Sequence, residues 1–230
     1  MRNIIIGAIL MCVAFCSCEK VKGNGEIITE TRSIDKSFSE VQNDTKFDVE
    51  IVFSNEQKAI ITGESNIIPK VYIGVKNKKL IIKKDKSKYN FKNTEPVTIT
   101  VYMKRNDYMD FTNNGSGDMT VLSPLSREIM FENSGSGNMY AFDCENEAVE
   151  VMNSGSGDVD IKGIAAEVKI TGCSSGYIDC YDLKAQFVEV HSSGSGRIEA
   201  YATDEADVWV TGTGEVFVYG TERVRYHNDE

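Results

Sequence analysis

A short turn with the makings of an ion or phosphate cradle returns six times in this 230-residue chain. It reads Asn-Gly-Ser-Gly-Asp at 114–118, Ser-Gly-Ser-Gly-Asn at 134–138 and Ser-Gly-Ser-Gly-Asp at 154–158. It degrades to Cys-Ser-Ser-Gly-Tyr at 173–177 and returns as Ser-Gly-Ser-Gly-Arg at 193–197 and Thr-Gly-Thr-Gly-Glu at 211–215. Glycine N–H groups can cradle an anion, and an adjacent aspartate can bind calcium. Calcium turns of β-rolls, however, recur every nine residues so that neighbouring turns share the ion. Here the last glycines fall at 117, 137, 157, 176, 196 and 214, a period near 20. The residue after them runs Asp118, Asn138, Asp158, Tyr177, Arg197, Glu215, and Arg197 would oppose a cation. No metal is expected there.

Catalytic groups are equally sparse. The two histidines are His191 and His227. His227 falls in the terminal tail; His191, one step past an inward valine, should face solvent, so no Ser-His-Asp triad is expected. Asp160, Asp179 and Glu199 stack outward three residues past the glycines, as in a β-helical lyase, but no base shares their row. Beyond the leader three cysteines remain, Cys144, Cys173 and Cys180, an odd number with no paired Cys-x-x-Cys. Cys180 should point inward as a small apolar thiol. The expectation is a non-enzyme with no cofactor.

The elements that carry these turns are short strands. Before each turn stands an apolar pair at spacing two: Met109/Phe111, Ile129/Phe131, Val149/Val151, Val168/Ile170, Val188/Val190, Val208/Val210. After each turn stands another: Met119/Val121, Met139/Ala141, Val159/Ile161, Ile178/Cys180, Ile198/Ala200, Val216/Val218. Spacing two puts both members on one face of a strand. Like residues at a fixed period should stack on one another, coil on coil. The expected fold is all-β: a right-handed parallel β-helix with roughly 20-residue coils. Its corners are the glycine-serine turns, built on Gly115, Gly117, Gly135, Gly137, Gly155, Gly157, Gly176, Gly194, Gly196, Gly212 and Gly214. These glycines are expected to supply positive φ. Asn113, Asn133 and Asn153 should form a stacked amide ladder that stops at Gly172, Ser192 and Gly212.

Residues 26–105 read as irregular strands of the same domain, and 106–220 as the regular repeats. The domain thus spans 26–221. Residues 65–70 should make one short turn, and a charged tail, 222–230, should blunt the last coil. Residues 1–17 read as a lipoprotein signal peptide: a short positive start, an apolar run over 4–15, and Ser17 before Cys18. Cys18 is then the lipidated residue and 18–25 a tether, with the membrane as a partner through the lipid. The net charge of −10 argues against nucleic acid.

Repeated Ser-Gly-Ser-Gly-Asp turns behind such a leader resemble the head GIN domain family of auto-transporter-type adhesins, frequent in Bacteroidetes envelope proteins. Residues 23–32 (Gly-Asn-Gly-Glu-Ile-Ile-Thr-Glu-Thr-Arg) resemble the family's opening strand, and Phe38–Val41 followed by Phe47–Ile51 its next element. Asn-Asp-Thr-Lys at 43–46 departs from the glycine-rich turn usual there, and Cys173-Ser174 is a second departure. The resemblance implies a β-helix in the cell envelope, with the outer membrane as its expected site, and supplies no catalytic residues.

The expected binding surface is an outward aromatic stripe of Tyr140, Phe142, Tyr181, Tyr201, Phe217 and Tyr219, able to stack on a glycan or a protein ligand. The plainer reading of the same row is a ladder that protects the sheet. Trp209 should lie outward in a second row, beside Met130, Glu150, Lys169 and Glu189. An adhesin-like binding module is thus the first reading. A self-stacking scaffold and a carbohydrate-active enzyme are the alternatives.

Overall fold

The computed structural model describes residues 19–227. The leader and Cys18 lie outside the described residues, as do 228–230. The chain is all-β. It opens with β1 (Glu19–Lys22), β2 (Ile27–Ser33), β3 (Glu40–Asn43), β4 (Asp48–Phe53) and β5 (Lys58–Glu64). A 3-10 turn, Ile68–Lys70, falls within the expected 65–70. Then come β6 (Val71–Lys76), β7 (Lys79–Lys84), β8 (Tyr89–Lys92) and β9 (Thr98–Met103). The repeats follow as β10 (Tyr108–Asn113), β11 (Met119–Leu122), β12 (Leu125–Asn133), β13 (Met139–Asn153), β14 (Val159–Gly172), β15 (Ile178–Ser192), β16 (Arg197–Val210), β17 (Glu215–Tyr219) and β18 (Val224–His227).

From β10 onward each strand pairs in parallel with its equivalent one coil away, as in Phe111↔Phe131↔Val151↔Ile170↔Val190. This is a β-solenoid of about six turns at roughly 20-residue spacing. The alternation of β13 shows why one strand can wrap most of a coil. Met139, Ala141, Cys144, Asn146, Val149, Val151 and Asn153 are buried. The inward phase slips by one residue between Ala141 and Cys144 and again between Asn146 and Val149. Each slip is a corner, so the coil has three sides, the shortest around Cys144–Asn146.

The chain does not climb the stack in sequence order. β3 and β4 form one coil, and the chain then drops beneath them. β7 pairs with β3 (Val41↔Leu80) and β9 with β4 (Val49↔Ile99). β10 and β11 stack on the other side of β3 and β4 (Phe111↔Val41, Met119↔Val49). This excursion separates the stacked pair Asn43 and Asn113 by 70 residues, although they occupy equivalent corners.

The two ends differ. At the N-terminal end β5 runs antiparallel to β9, β2 antiparallel to β5, and β6 antiparallel to β7. Ile67 and Ile68, fully buried, fill the core there. β1 lies at the same end, paired with β8. At the C-terminal end, among the described residues, β17 and β18 each pair with β16 alone. The tail thus contributes a strand of its own, Ala206↔Val224 to Trp209↔His227.

Candidate binding faces

The glycine corners are a packing device. The expectation of positive φ fails there: among the described residues the glycines with positive φ are Gly25, Gly163 and Gly220, none of them in a Gly-Ser-Gly corner. What demands glycine is the coil below. A Cβ on Gly135 would sit 1.9 Å from the carbonyl oxygen of Gly115, and one on Gly137 2.0 Å from that of Gly117. Positive φ belongs to the corner after the second strand, at Ser123 (51°), Asp143 (57°) and Gly163 (142°).

Asn113, Asn133 and Asn153 are buried in one row. Asn113 and Asn153 donate from Nδ2 to the Gly117 and Gly157 carbonyls, at 3.0 and 2.8 Å. Neither amide atom of Asn133 has a hydrogen-bond partner. Asn43, in a corner without glycine, extends the row and donates to Asn113 Oδ1 at 3.2 Å. The Asn-Asp-Thr-Lys departure is therefore a glycine-free corner, held by Thr45 N–H and Oγ1 on Asn43 Oδ1. Beyond Asn153 the row continues, as expected, through Gly172 and Ser192, and then reaches Val210 rather than Gly212.

The residue after the last glycine also has a structural task. Asp48, Asp118, Asn138 and Asp158 each accept, through Oδ1, the backbone N–H of the equivalent residue one coil on, at 2.8–2.9 Å. That ladder accounts for the Asp/Asn preference without an ion. Among the described residues no cluster of three or more His, Cys, Asp or Glu could hold a metal.

The structure divides the aromatic stripe in two. Tyr140 and Phe142 stack at 6.3 Å, with Lys162 Nζ over Phe142 at 5.9 Å. The Asp160–Lys162 ion pair (3.2 Å) and Asp179 interrupt the row. Beyond them Tyr181 meets Tyr201 and Tyr219 edge-on, at 5.9 and 4.9 Å. Lys184 Nζ lies 4.2 and 3.7 Å from the Tyr181 and Tyr201 ring centres, and Arg197 stacks over Phe217 at 4.5 Å. The break has a cause. An irregularity between Cys180 and Lys184 makes Lys184, not Tyr181, the Cα partner of Tyr201. Every ring of the stripe is already met by a neighbouring ring or cation, each contact worth about 0.5–1.5 kcal/mol.

On the opposite face, built by the first strand of each coil, the register departs from the expected one at the C-terminal end. Trp209 pairs with His191, not Glu189, and the inward pair is Ala206/Val208 while Val210 is exposed. The 18-residue step between Val190 and Val208 shifts the register by two. The result is a three-ring stack. His191 lies 4.5 Å from Trp209 and Trp209 4.2 Å from His227, with planes within 9° and 8°. His191 is thus half-buried in this stack, with Nε2 2.7 Å from Glu189 Oε1; His227 Nε2 is 2.7 Å from Asp207 Oδ1. Hydrogen bonds from Arg225, then from His227, hold the Asp207 carboxyl well below the ordinary range, and those from His191, then Lys169, lower Glu189.

On the same face lies a cleft of about 410 Å³. Its outermost row runs Tyr108, Glu128, Ala148, Glu167, Phe187, Glu205, one residue per coil. Small Ala148 leaves the hollow. Tyr108 and Phe187, 47% and 46% exposed, rise on either side of it. The second row adds Met130, Glu150, Lys169, Glu189, Asp207 and Arg225. Lys169 is bound to Glu189 at 3.1 Å, and Arg225 to Asp207 at 2.9 Å and to Glu205. The cleft thus has six carboxylates against two bases, both already paired. Burial, then Asp110, pushes the Tyr108 phenol above its ordinary range.

Of the thiols, Cys144 and Cys180 are buried and Cys173 is exposed; none is in a disulfide. Burial pushes Cys144 up to about 12.

Solved structures share this architecture. A crystal structure described as a putative adhesin from Bacteroides fragilis NCTC 9343 superposes with a TM-score of 0.81 at 24% identity, covering 90% of this chain and 95% of that one. A putative adhesin from Parabacteroides distasonis ATCC 8503 gives 0.67 at 23% identity, over 91% and 96%. A structure from the same organism, described as a putative lipid binding protein, gives 0.65 at 20%, over 91% and 95%. No curated protein matches the chain. The family model described as "Putative auto-transporter adhesin, head GIN domain" matches residues 37–221. Matched over most of its length, from β3 to the end of the last glycine-cornered coil, the chain belongs to the head GIN domain family.

Proposed function

We propose that the chain is a non-catalytic, adhesin-like module of the cell envelope, anchored by lipid at Cys18, whose binding surface is the cleft between Tyr108 and Phe187. One observation carries the choice of face: these two exposed rings flank a hollow of about 410 Å³ and have no stacking partner among the described residues. The rings of the Tyr140–Tyr219 stripe all have one. An exposed ring beside carboxylate acceptors suits a sugar face or a protein side chain. The cleft crosses coils, so an extended ligand would lie along the solenoid axis. The non-catalytic reading is supported by the histidines, which are tied into a ring stack, and by Lys162 and Arg197, which neutralise Asp160 and Glu199 of the acidic row.

The test is a glycan and host-matrix array. Wild type is compared with Tyr108→Ala/Phe187→Ala and with Tyr181→Ala/Tyr201→Ala. Loss of binding in the first variant alone is expected. Loss in the second alone would move the site to the stripe, and no binding by wild type would remove the reading. Labelling with radioactive palmitate, abolished by Cys18→Ala, tests the anchor.

A further inference from the structure

We infer that the open C-terminal end of the solenoid docks a second copy of the chain, end to end, through β17. Three observations meet there. First, the core is uncovered. Val216, Val218 and Val224 point inward yet are partly exposed, whereas their partners one coil below, Ile198, Ala200 and Ala206, are 2%, 1% and 1% exposed. Second, among the described residues β17 is paired on one edge, with β16, so its other backbone edge can accept a strand. Third, the opposite end is closed by antiparallel strands over fully buried Ile67 and Ile68. That asymmetry disfavours head-to-tail stacking, which would set an open core on a filled one.

The sequence of β17, Glu-Val-Phe-Val-Tyr, is self-complementary about its centre. A two-fold axis beside Phe217 runs β17 antiparallel to its copy. Val216 then faces the partner's Val218, and both valine pairs continue the core across the joint. Phe217 faces the partner's Phe217 on the outer surface. Glu215 faces the partner's Tyr219, a carboxylate against a phenol, so no like charges oppose one another. Because an axis of this kind closes the assembly at two chains, the product is a dimer and not a fibre.

The geometry also bears on adhesion, given the lipid anchor proposed above. β1 begins one residue after Cys18 and lies at the closed end. With lipid at Cys18 the open end is the one farthest from the membrane. Chains on facing surfaces would meet there.

The experiment takes the full chain in detergent and measures mass by chromatography with light scattering. In a Cys173→Ser background, Phe217→Cys is mildly oxidised, with the background itself as control. Opposed residues of an antiparallel pair stand about 4.5–5.5 Å apart at Cα, within the roughly 4.4–6.8 Å a disulfide spans. A dimer that cross-links through Phe217→Cys is expected. Val218→Lys should weaken it by more than about tenfold, since it buries an unpaired charge, with the β-sheet circular dichroism retained. A monomer at every concentration, an open-ended polymer, or a dimer that Phe217→Cys does not cross-link would each overturn the inference. Clustering of vesicles carrying the lipidated chain is scored separately. A dimer in detergent without vesicle clustering removes the facing-surface geometry and leaves the dimer standing.

Discussion

Gly137→Ala isolates the reason for the repeated corner. The added Cβ would lie 2.0 Å from the Gly117 carbonyl oxygen and 2.6 Å from its carbon. Both are backbone atoms of the adjoining coil, so no rotamer change relieves the contact. Relief requires the two corners to separate by about 1 Å or more, given an ordinary carbon–oxygen contact near 3.4 Å. The hydrogen bonds that define the spacing are Ser136 N–H and Gly137 N–H to the Gly115 carbonyl, at 3.0 and 3.2 Å. Separation of that size loses them, at about 1 kcal/mol each. Overpacking in a tight interior adds about 1–3 kcal/mol. The total is about 3–5 kcal/mol, on the order of a 10 °C fall in melting temperature for a chain of this size. Urea denaturation followed by circular dichroism at fixed pH measures it. The control is Gly137→Asn. If the glycine served a left-handed backbone, asparagine would restore much of the loss, because it tolerates that conformation. With a steric cause, asparagine is as harmful as alanine. A loss under about 1 kcal/mol, or clear rescue by asparagine, refutes the close-approach argument.

Two further outcomes follow from the ladders. Asp118→Asn keeps the oxygen that accepts the Asn138 N–H and should leave stability unchanged, whereas Asp118→Ala orphans that donor and should cost about 1 kcal/mol by urea melt. Trp209 is the one tryptophan of the chain, so its emission reports the docking of β18 through His227. His227→Ala should shift that emission, while His191→Ala should do so without loosening β18. The Asp207 carboxyl is depressed in the folded chain, first by Arg225 and then by His227. Its contribution is therefore complete above the ordinary carboxylate value of about 3.9 and is lost only as pH falls through its lower folded value. In an acid titration of Trp209 emission, Asp207→Asn should release β18 at higher pH than wild type; coincident curves would count against the Asp207 clamp.

Much of the fold was legible because a stacked coil repeats its inward demand at every turn. Met109/Phe111 through Val188/Val190 could be read as one continuous core row by spacing alone. What failed was register where the period changed. The step from Val190 to Val208 is 18 residues. Carrying the 20-residue spacing through it set Trp209 beside Glu189 and left His227 in a tail, which hid the His191–Trp209–His227 stack. The same information was present in the glycines, since Gly196 to Gly214 is also 18. The excursion of β5–β9 was illegible for a different reason. Asn43 carries the same amide as Asn113, but its corner has no glycine, and nothing local reveals that the intervening strands pass beneath it. The cleft was hidden because it depends on Ala148, a residue that signals nothing except beside Tyr108, Glu128, Glu167 and Phe187.

The outward rows also show why the cleft, rather than the acidic row across the coil, is the better place for a ligand. Neighbouring coils lie about 4.8 Å apart, so like charges in register repel. Asp160, Asp179 and Glu199 stand on three successive coils, and the chain answers with Lys162 on Asp160 and Arg197 on Glu199. That surface is electrostatically settled from within. In the cleft the outer row alternates instead: Tyr108, Glu128, Ala148, Glu167, Phe187, Glu205. No two carboxylates of that row are adjacent, so spacing relieves most of its repulsion, with Arg127 beside Glu128 and Arg225 on Glu205 adding to it. Each acid there keeps acceptor capacity, and each neutral position is a ring or a hollow. Replacing Ala148 with leucine tests this directly. The larger side chain fills the hollow on an outward row, where it leaves the core untouched, so stability should stay within about 0.5 kcal/mol. Ligand binding should fall as far as in the Tyr108→Ala/Phe187→Ala variant. If binding survives a filled hollow, the exposed rings act as a flat platform, and the cleft itself is not the site.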